Sequence, residues 1–484
     1  MTAVGMQSAI ACTEDSGAPL TVGADANAAS TSTTAKDSTA ATDTAPPHLL
    51  PLKAVLSATA AEFKYVNYYH LASALLARYH RFSHFLSQCR YIAAPMVGIS
   101  DLPFRLLCRQ YGATVCYTEM IDTTGPDMPQ LPPASCAADR PLVVQFAAND
   151  GQRLLTAALA VQSMCDAVCL NLGCPQRVAR RAMYGAYLLD DVDDDRRRLL
   201  ALIHHVTSSP LLHVPLLVKI RVLHSVEATV SLCRQLALAG ASLIAIHARQ
   251  RGRVDQRRDG AADLSIVQHC TAALQHFPVT VVTNGNVRSH TDIAHNLHYT
   301  AAHGIMCAEP LAHNPALFSH PPHPAPLALA LQYVRLVEAE GWREGRSVEE
   351  AWLRVVAQVW RMAGERLAWL QVGGALEHVC SVAEVRAVVE LAIERESGGW
   401  QRDESLQLEF DRSCERRQQM MERMRTRIRQ QEEARGRQVS AELAQLNSKQ
   451  RKRLRKREEK AAHASKKLNG DAPDLTHSTQ DIIP

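Results

Sequence analysis

Between about residues 91 and 310 the chain repeats one alternation: a short apolar run, then a stretch whose apolar residues recur at helical spacing. The runs cover 91–96, 113–120, 141–147, 166–172, 216–221, 242–248, 279–284 and 304–309. The fourth reads as a strand buried on both faces, ending where Gly173 and Pro175 stop it. Eight strands alternating with helices over roughly 220 residues is the size and rhythm of a (β/α)8 TIM barrel, an α/β fold. A doubly wound sheet is the rival. It would be favoured by a Gly-x-Gly-x-x-Gly turn after a strand, and none is present.

The flanks read differently. Residues 1–50 are dominated by Ala, Thr, Ser and Asp, with Lys36 the only basic residue, and cannot bury enough apolar surface to fold. Glu14, Asp15, Asp25, Asp37 and Asp43 argue against a mitochondrial presequence. Leu71, Leu75, Leu76, Tyr79 and Phe82 suit an amphipathic helix leading into the barrel, so the barrel unit is expected over 66–318. The run His320-Pro321-Pro322-His323-Pro324 is a linker. Residues 325–397 then read as a helical domain, with Trp352, Val355, Val356, Val359 and Trp360 as bundle core. From 412 to 484 a basic tail, disordered or helical, is expected. Its residues 412–467 carry 19 Lys and Arg against 7 Glu, so the positive charge of a chain with net +4 is concentrated at one end. Arg451-Lys452-Arg453-Leu454-Arg455-Lys456-Arg457 suits a solvated helical face, a nuclear import signal or an RNA-binding arm.

Composition narrows the class. A hydrophobic fraction of 46% with 21% charged residues is that of a soluble protein, and no stretch of eighteen apolar residues offers a membrane span. Thirteen cysteines at irregular spacing, with no Cys-x-x-Cys pair, fit reduced thiols in an intracellular, cytoplasmic or nuclear protein and give no metal site. A monomer is expected.

Polar residues at strand ends cost burial energy unless they serve the mouth of the barrel. Here they recur: Pro95-Met96, Thr118-Glu119, Gln145, Asn171, Lys219, His247 with Arg249 beyond, Asn284-Gly285-Asn286, and Glu309. Singly each has a bland explanation, but at corresponding points of successive repeats they favour a ligand site. Gln145 suits the edge of a heteroaromatic ring. Lys219 would stabilise negative charge on a reduced flavin, and His247 with the Asn284-Gly285-Asn286 turn can point N–H groups at a phosphate. Flavin mononucleotide fits better than a dinucleotide. Just past the fourth strand Cys174 faces the same mouth, as packing or as a reactive thiol.

Ala94-Pro95-Met96-Val97-x-x-Ser100-Asp101-x-Pro103-Phe104-Arg105, Tyr117-Thr118-Glu119-Met120, Leu170-Asn171-Leu172-Gly173-Cys174-Pro175-Gln176, Tyr184-Gly185-Ala186, Lys219-Ile220-Arg221, His247-Ala248-Arg249 and Asn314-Pro315-Ala316-Leu317-Phe318 together resemble the tRNA-dihydrouridine synthase family. Ala308-Glu309 followed by His313-Asn314-Pro315 further resembles the eukaryotic branch acting on D-loop positions 16/17. The resemblance implies an FMN enzyme that reduces uridine in tRNA at the expense of NADPH, with 325–397 contacting the tRNA. It implies that Pro95, Met96, Val97 and Gln145 meet the flavin, and that Lys219 and His247 hold its ring and ribityl phosphate. Asn284, Gly285, Asn286, Ala308 and Glu309 would complete the phosphate end. Asn171 and Arg249 would face the uracil, and Cys174 would be the proton donor.

Three places depart from the family pattern. Ala182-Met183 stand for the usual Gly-His, Gly151 for Pro and Gln250 for Thr. An FMN barrel acting on a small pyrimidine and a non-catalytic RNA-binding relative are the competing functions.

Overall fold

The computed structural model describes residues 68–125, 134–189, 193–252, 261–340, 348–377, 379 and 381–398. The expected N-terminal extension and basic tail lie outside them. Eight parallel strands close into a barrel in chain order: β1 (Tyr91–Ala93), β2 (Val115–Asp122), β3 (Leu142–Ala147), β4 (Ala167–Leu172), β5 (Leu216–Arg221), β6 (Leu243–His247), β7 (Thr280–Asn284) and β8 (Gly304–Cys307). The barrel fold expected from the eight runs is the fold observed. Two helices, α1 (Tyr68–Arg81) and α2 (Ser83–Gln88), lead into β1, so the single amphipathic stretch is split.

Strand side chains alternate, and the alternation sorts the core. The inward set includes Ile92, Val115, Tyr117, Val143, Ala167, Cys169, Leu217, Leu243, Ala245, Val282 and Met306. Phe82, Phe85 and Leu86 join it from below, so the leading helices plug the N-terminal end. Outward residues such as Val144, Leu170, Val218 and Ile244 pack under the helical ring. That ring includes α3 (Leu102–Gln110), α4 (Gly151–Val161), α5 (Arg177–Arg181), α6 (Asp193–Thr207), α7 (Val226–Leu238), α8 (Leu264–Leu274), α9 (His290–Thr300) and α10 (Glu309–His313).

Three strands end two or more residues away from the ends of the apolar runs. β1 stops at Ala93, because Pro95 has no N–H to continue the ladder, and Ser100 takes over: its Oγ donates to Ala94 O and accepts from Met96 N, both at 3.0 Å. β2 runs on to Asp122 through a register shift between Tyr117 and Met120. β8 ends at Cys307, and Glu309 opens α10 instead of closing a strand.

A buried ion pair fixes the turn after β1. Arg105 Nε and Nη2 donate to Asp139 Oδ2 at 3.0 and 2.7 Å, and Arg105 Nη1 donates to Ser100 O at 2.7 Å. Neither side chain of the pair is more than 1% exposed. Asp101 caps α3 by accepting from Phe104 N, and its other oxygen accepts from Tyr333 Oη at 2.9 Å. Tyr333 belongs to α11 (Pro326–Glu340), which packs with α12 (Val348–Trp369) and α13 (Val382–Ser397) on one apolar cluster shared with α3. These helices therefore rest on the β8–β1–β2 side.

Barrel closure has a narrow tolerance at Gly304. A Cβ there would stand 1.9 Å from Cys89 O. Gly304→Ala is expected to cost about 3 kcal/mol or more, since backbone meets side chain with no flexible end to yield. Asp139→Ala should cost roughly 3–5 kcal/mol by stranding a buried guanidinium. Urea midpoints check both, and a midpoint equal to wild type for either variant contradicts its account.

Candidate active site

The alternation that fills the barrel with apolar side chains turns polar at the upper rung. Inward Val143 is followed two residues on by Gln145, Cys169 by Asn171, Leu217 by Lys219 and Arg221, Ala245 by His247 and Val282 by Asn284. The strand register sets them side by side: Asn171 pairs Lys219, Arg221 pairs His247, and His247 pairs Asn284. One ring of polar groups thus caps an apolar plug.

Asn171 ties two parts of this ring together. Its Oδ1 accepts from Gly173 N at 3.0 Å and Cys174 N at 2.9 Å, while its Nδ2 donates to Gln145 Oε1 at 2.9 Å. Gln145 is buried, and its Nε2 donates to Cys169 Sγ at 3.5 Å. Burial pushes the Cys169 thiol up to about 12, so it stays protonated. Cys174 is only half-buried, packed beside Tyr184 and Tyr187, and near enough to Lys219 and Arg221 to feel both charges.

Arg221 is the residue that strand-end reading left without a role. Two positions beyond Lys219, it shares the inward phase, donates from Nε to Gly173 O at 2.8 Å and from Nη1 to Gln250 O at 3.1 Å. It therefore links the Cys174 turn to the segment after β6. Period-two spacing from Lys219 was the available signal. Burial, then Arg221, lowers the Lys219 amine from 10.5 to about 8, opposed by Cys169 and Cys174.

The β6 and β7 ends form the other side. Arg249 Nη1 lies 3.0 Å from His247 Nε2, and Arg249 Nη2 donates to Asn286 Oδ1 at 3.3 Å. Asn284 Nδ2 donates to Met306 O at 2.7 Å, which ties one of its two N–H groups to strand β8. Asn286 holds Ala262 through both its amide atoms. Gly285 is left-handed at φ 132, and a Cβ there would stand 2.7 Å from Ala262 Cβ, with His247 and Arg249 3.8 Å away, so this turn beside the two side chains requires glycine. Ala308 caps α10, and Glu309 is exposed. Pro95 and Met96 are half-buried and Val97 is 48% exposed, an apolar ledge beside the mouth. From the helical layer Arg354 Nη1 reaches Glu119 Oε1 at 2.7 Å.

These residues fit a flavin mononucleotide on physical grounds. The fit rests on an apolar ledge, a carboxamide with fixed orientation, a desolvated amine and a glycine turn beside His247 and Arg249. Among the described residues no group of three His, Cys, Asp or Glu is arranged to hold a metal, and no helix is long and apolar enough to cross a membrane.

Lys219 generates a stability prediction. Its charged form is disfavoured in the folded state, so the penalty is fully present below about pH 8 and disappears as pH rises towards 10.5. Lys219→Met should therefore stabilise the flavin-free protein at pH 7 by roughly 1–3 kcal/mol. The advantage should fade between pH 8 and 10.5 in thermal melts. A variant less stable than wild type at pH 7 contradicts the desolvation account.

The family model of dihydrouridine synthase (Dus) matches residues 92–362, more than half of the chain and all eight strands but the first residue of β1. A protein of Rattus norvegicus named tRNA-dihydrouridine(16/17) synthase NAD(P)(+)-like is 38% identical over 53% of this chain and 57% of its own length. The Saccharomyces cerevisiae tRNA-dihydrouridine(16/17) synthase is 36% identical over 47% of this chain and 54% of its own. The tRNA-dihydrouridine(20a/20b) synthase of the same yeast is 33% identical over 47% of this chain and 61% of its own. The chain thus spans a little over half the length of the curated relatives it matches. The strand-end residues, the Cys174 turn and the matched span agree on one assignment: this chain belongs to the dihydrouridine synthase family.

Proposed function

We propose that this chain is a tRNA-dihydrouridine synthase, an oxidoreductase that reduces uridine to 5,6-dihydrouridine in the tRNA D-loop at positions 16/17, with FMN as cofactor and NADPH as reductant. One observation carries the reading: Asn171 fastens the Cys174 turn and Gln145 to each other, so a thiol and a buried amide share one mouth. The identity to the rat and budding-yeast 16/17 relatives, 38% and 36% against 33% for the budding-yeast 20a/20b relative, supports the position, whereas the fission-yeast 16/17 relative, at 32%, does not separate from the 20a/20b one.

In this reading Pro95, Met96, Val97 and Gln145 hold the flavin ring, with Lys219 at its electron-rich edge. His247, Asn284, Gly285 and Asn286 hold the phosphate end with Ala308 and Glu309, the last through main chain, since a carboxylate would repel a phosphate. When bound and reduced by NADPH, FMN supplies a hydride to C6 of the uracil. Cys174 delivers a proton to C5: its S–H bond breaks, the C5–H bond forms from the C5–C6 π pair, and water reprotonates the thiolate. Lys219 and Arg221 stabilise that thiolate, because both already lie within its field. Asn171 and Arg249 face the uracil. The target base leaves its stack to reach this depth, which selects a loosely held loop nucleotide.

We also propose that the chain acts as a monomer in the cytoplasm, the nucleus or both, with α11–α13 and the 412–484 tail contacting tRNA.

Mapping dihydrouridine in tRNA from cells lacking this protein tests the reading. Loss is expected at positions 16/17 and restoration by wild type. Cys174→Ala should restore turnover at about 100-fold lower rate or less. Unchanged dihydrouridine in the deficient cells sinks the activity, whereas full restoration by Cys174→Ala sinks the proton-donor role alone.

A further inference from the structure

The segment after Cys174 leaves the mouth and comes back to it. Along α5 the side chains of Arg177, Arg180 and Arg181 are three and four positions apart, on one helix face, and all are exposed. The opposite face packs inward: Ala179 is buried, and Val178 and Ala182 lie against Tyr184 and Tyr187 with Cys174. The return is fastened at several points. Asn149 Nδ2, from the turn after β3, donates to Ala182 O at 2.7 Å. Tyr184 N donates to Ala179 O at 3.0 Å, Ala186 N to Cys174 O at 3.1 Å, and Tyr187 Oη to Pro175 O at 2.8 Å.

Met183 stands at the apex of this tied segment. Its backbone is left-handed at φ 50, a conformation that glycine or asparagine would adopt at little cost. Its side chain is nonetheless a large apolar one, and 49% of it is exposed. Strain and exposure therefore fall on one residue, and the pinned neighbours on either side hold it there. Among the described residues Met183 joins none of the apolar clusters.

We propose that Met183 is an apolar wedge for RNA. It enters the base stack at the gap left by the extruded uridine, while Arg180 and Arg181 neutralise the flanking phosphates. The inference rests on the tRNA reading above and goes beyond it by assigning the group that holds the gap open. Extrusion leaves two unstacked base faces, and apolar side chains are what proteins insert between base steps. A methionine is unbranched and polarisable, so it can follow either face of the gap. The Ala186–Cys174 bond keeps the wedge in register with the thiol, so the base removed from the stack is the one that meets Cys174.

The test uses the full-length, FMN-loaded protein and two RNAs: a tRNA with an intact D-arm, and one whose D-stem is mismatched so that the target uridine is already loose. Met183→Gly and Met183→Asn should melt at or above the wild-type temperature, because both relieve the left-handed strain. On intact tRNA both should lose about ten-fold or more in kcat/KM, and on the loosened RNA less than about two-fold. Met183→Leu, which keeps the apolar bulk, should retain wild-type turnover on both. Replacing Arg180 or Arg181 by Ala should lower the salt slope of tRNA binding by about one, the change expected when a single phosphate is no longer neutralised. Equal losses on the two RNAs, or none on intact tRNA, would overturn the wedge. Absence of dihydrouridine from wild type on both RNAs would instead overturn the tRNA reading, and the wedge with it.

Discussion

The closure of β8 onto β1 is the constraint on which the rest of this structure depends. Gly304 brings β8 under the carbonyl of Cys89, and the seam is then sewn by Ile305 N to Arg90 O at 2.8 Å and Ala94 N to Cys307 O at 2.9 Å. That closure fixes the phase of every strand. With a period of two, a slip of one residue would turn Gln145, Asn171, Lys219 and His247 into the helical layer and bring their apolar neighbours to the mouth. The polar ring exists because the barrel closes in this register.

The two sides of the mouth are held by different physics. On the β1–β2 side the turn carrying Pro95 and Met96 hangs on Ser100, Ser100 on Arg105, and Arg105 on the buried Asp139. The helices α11 and α12 then press on the same side through Tyr333 to Asp101, Arg354 to Glu119 and Gln358 to Ala312. Breaking any buried member leaves a polar group stranded in a medium of low polarity, so this side resists local opening. On the β4–β5 side Asn171 and Arg221 hold the Cys174 turn from the strands, and Ala186 N and Tyr187 Oη close on Cys174 O and Pro175 O from the returning segment.

Much of this was legible in the sequence, and the reason is periodicity. Eight apolar runs gave eight strands, and their polar ends gave most of the ring, because strand alternation is a local property. Arg221 escaped because strand ends were read one residue at a time rather than in steps of two. Glu309 was placed on a strand, whereas Pro310 at the start of α10 already turns the chain into a helix. Ser100, Asp101 and Arg105 belong to a recognisable motif, yet their work is to cap α3 and carry the buried ion pair, which no spacing reveals. Arg354 and Glu119 are 235 positions apart, and only the packed helices bring them together.

The hydrogen-bond inventory of the mouth also narrows what it can read. Asn171 Oδ1 already accepts two backbone N–H groups, which fills its lone pairs, and Nδ2 has given one proton to Gln145. What it has left for a ligand is a single N–H donor. Lys219, Arg221 and Arg249 bring donors as well, since neither an ammonium nor a guanidinium accepts. On the reading proposed above, these donors suit the O2 and O4 carbonyls of uracil, while its N3–H, itself a donor, needs an acceptor from elsewhere in the mouth. Discrimination between uridine and cytidine therefore does not rest on Asn171 alone, because a side chain committed to two backbone N–H groups has no acceptor to offer the N3–H of uracil.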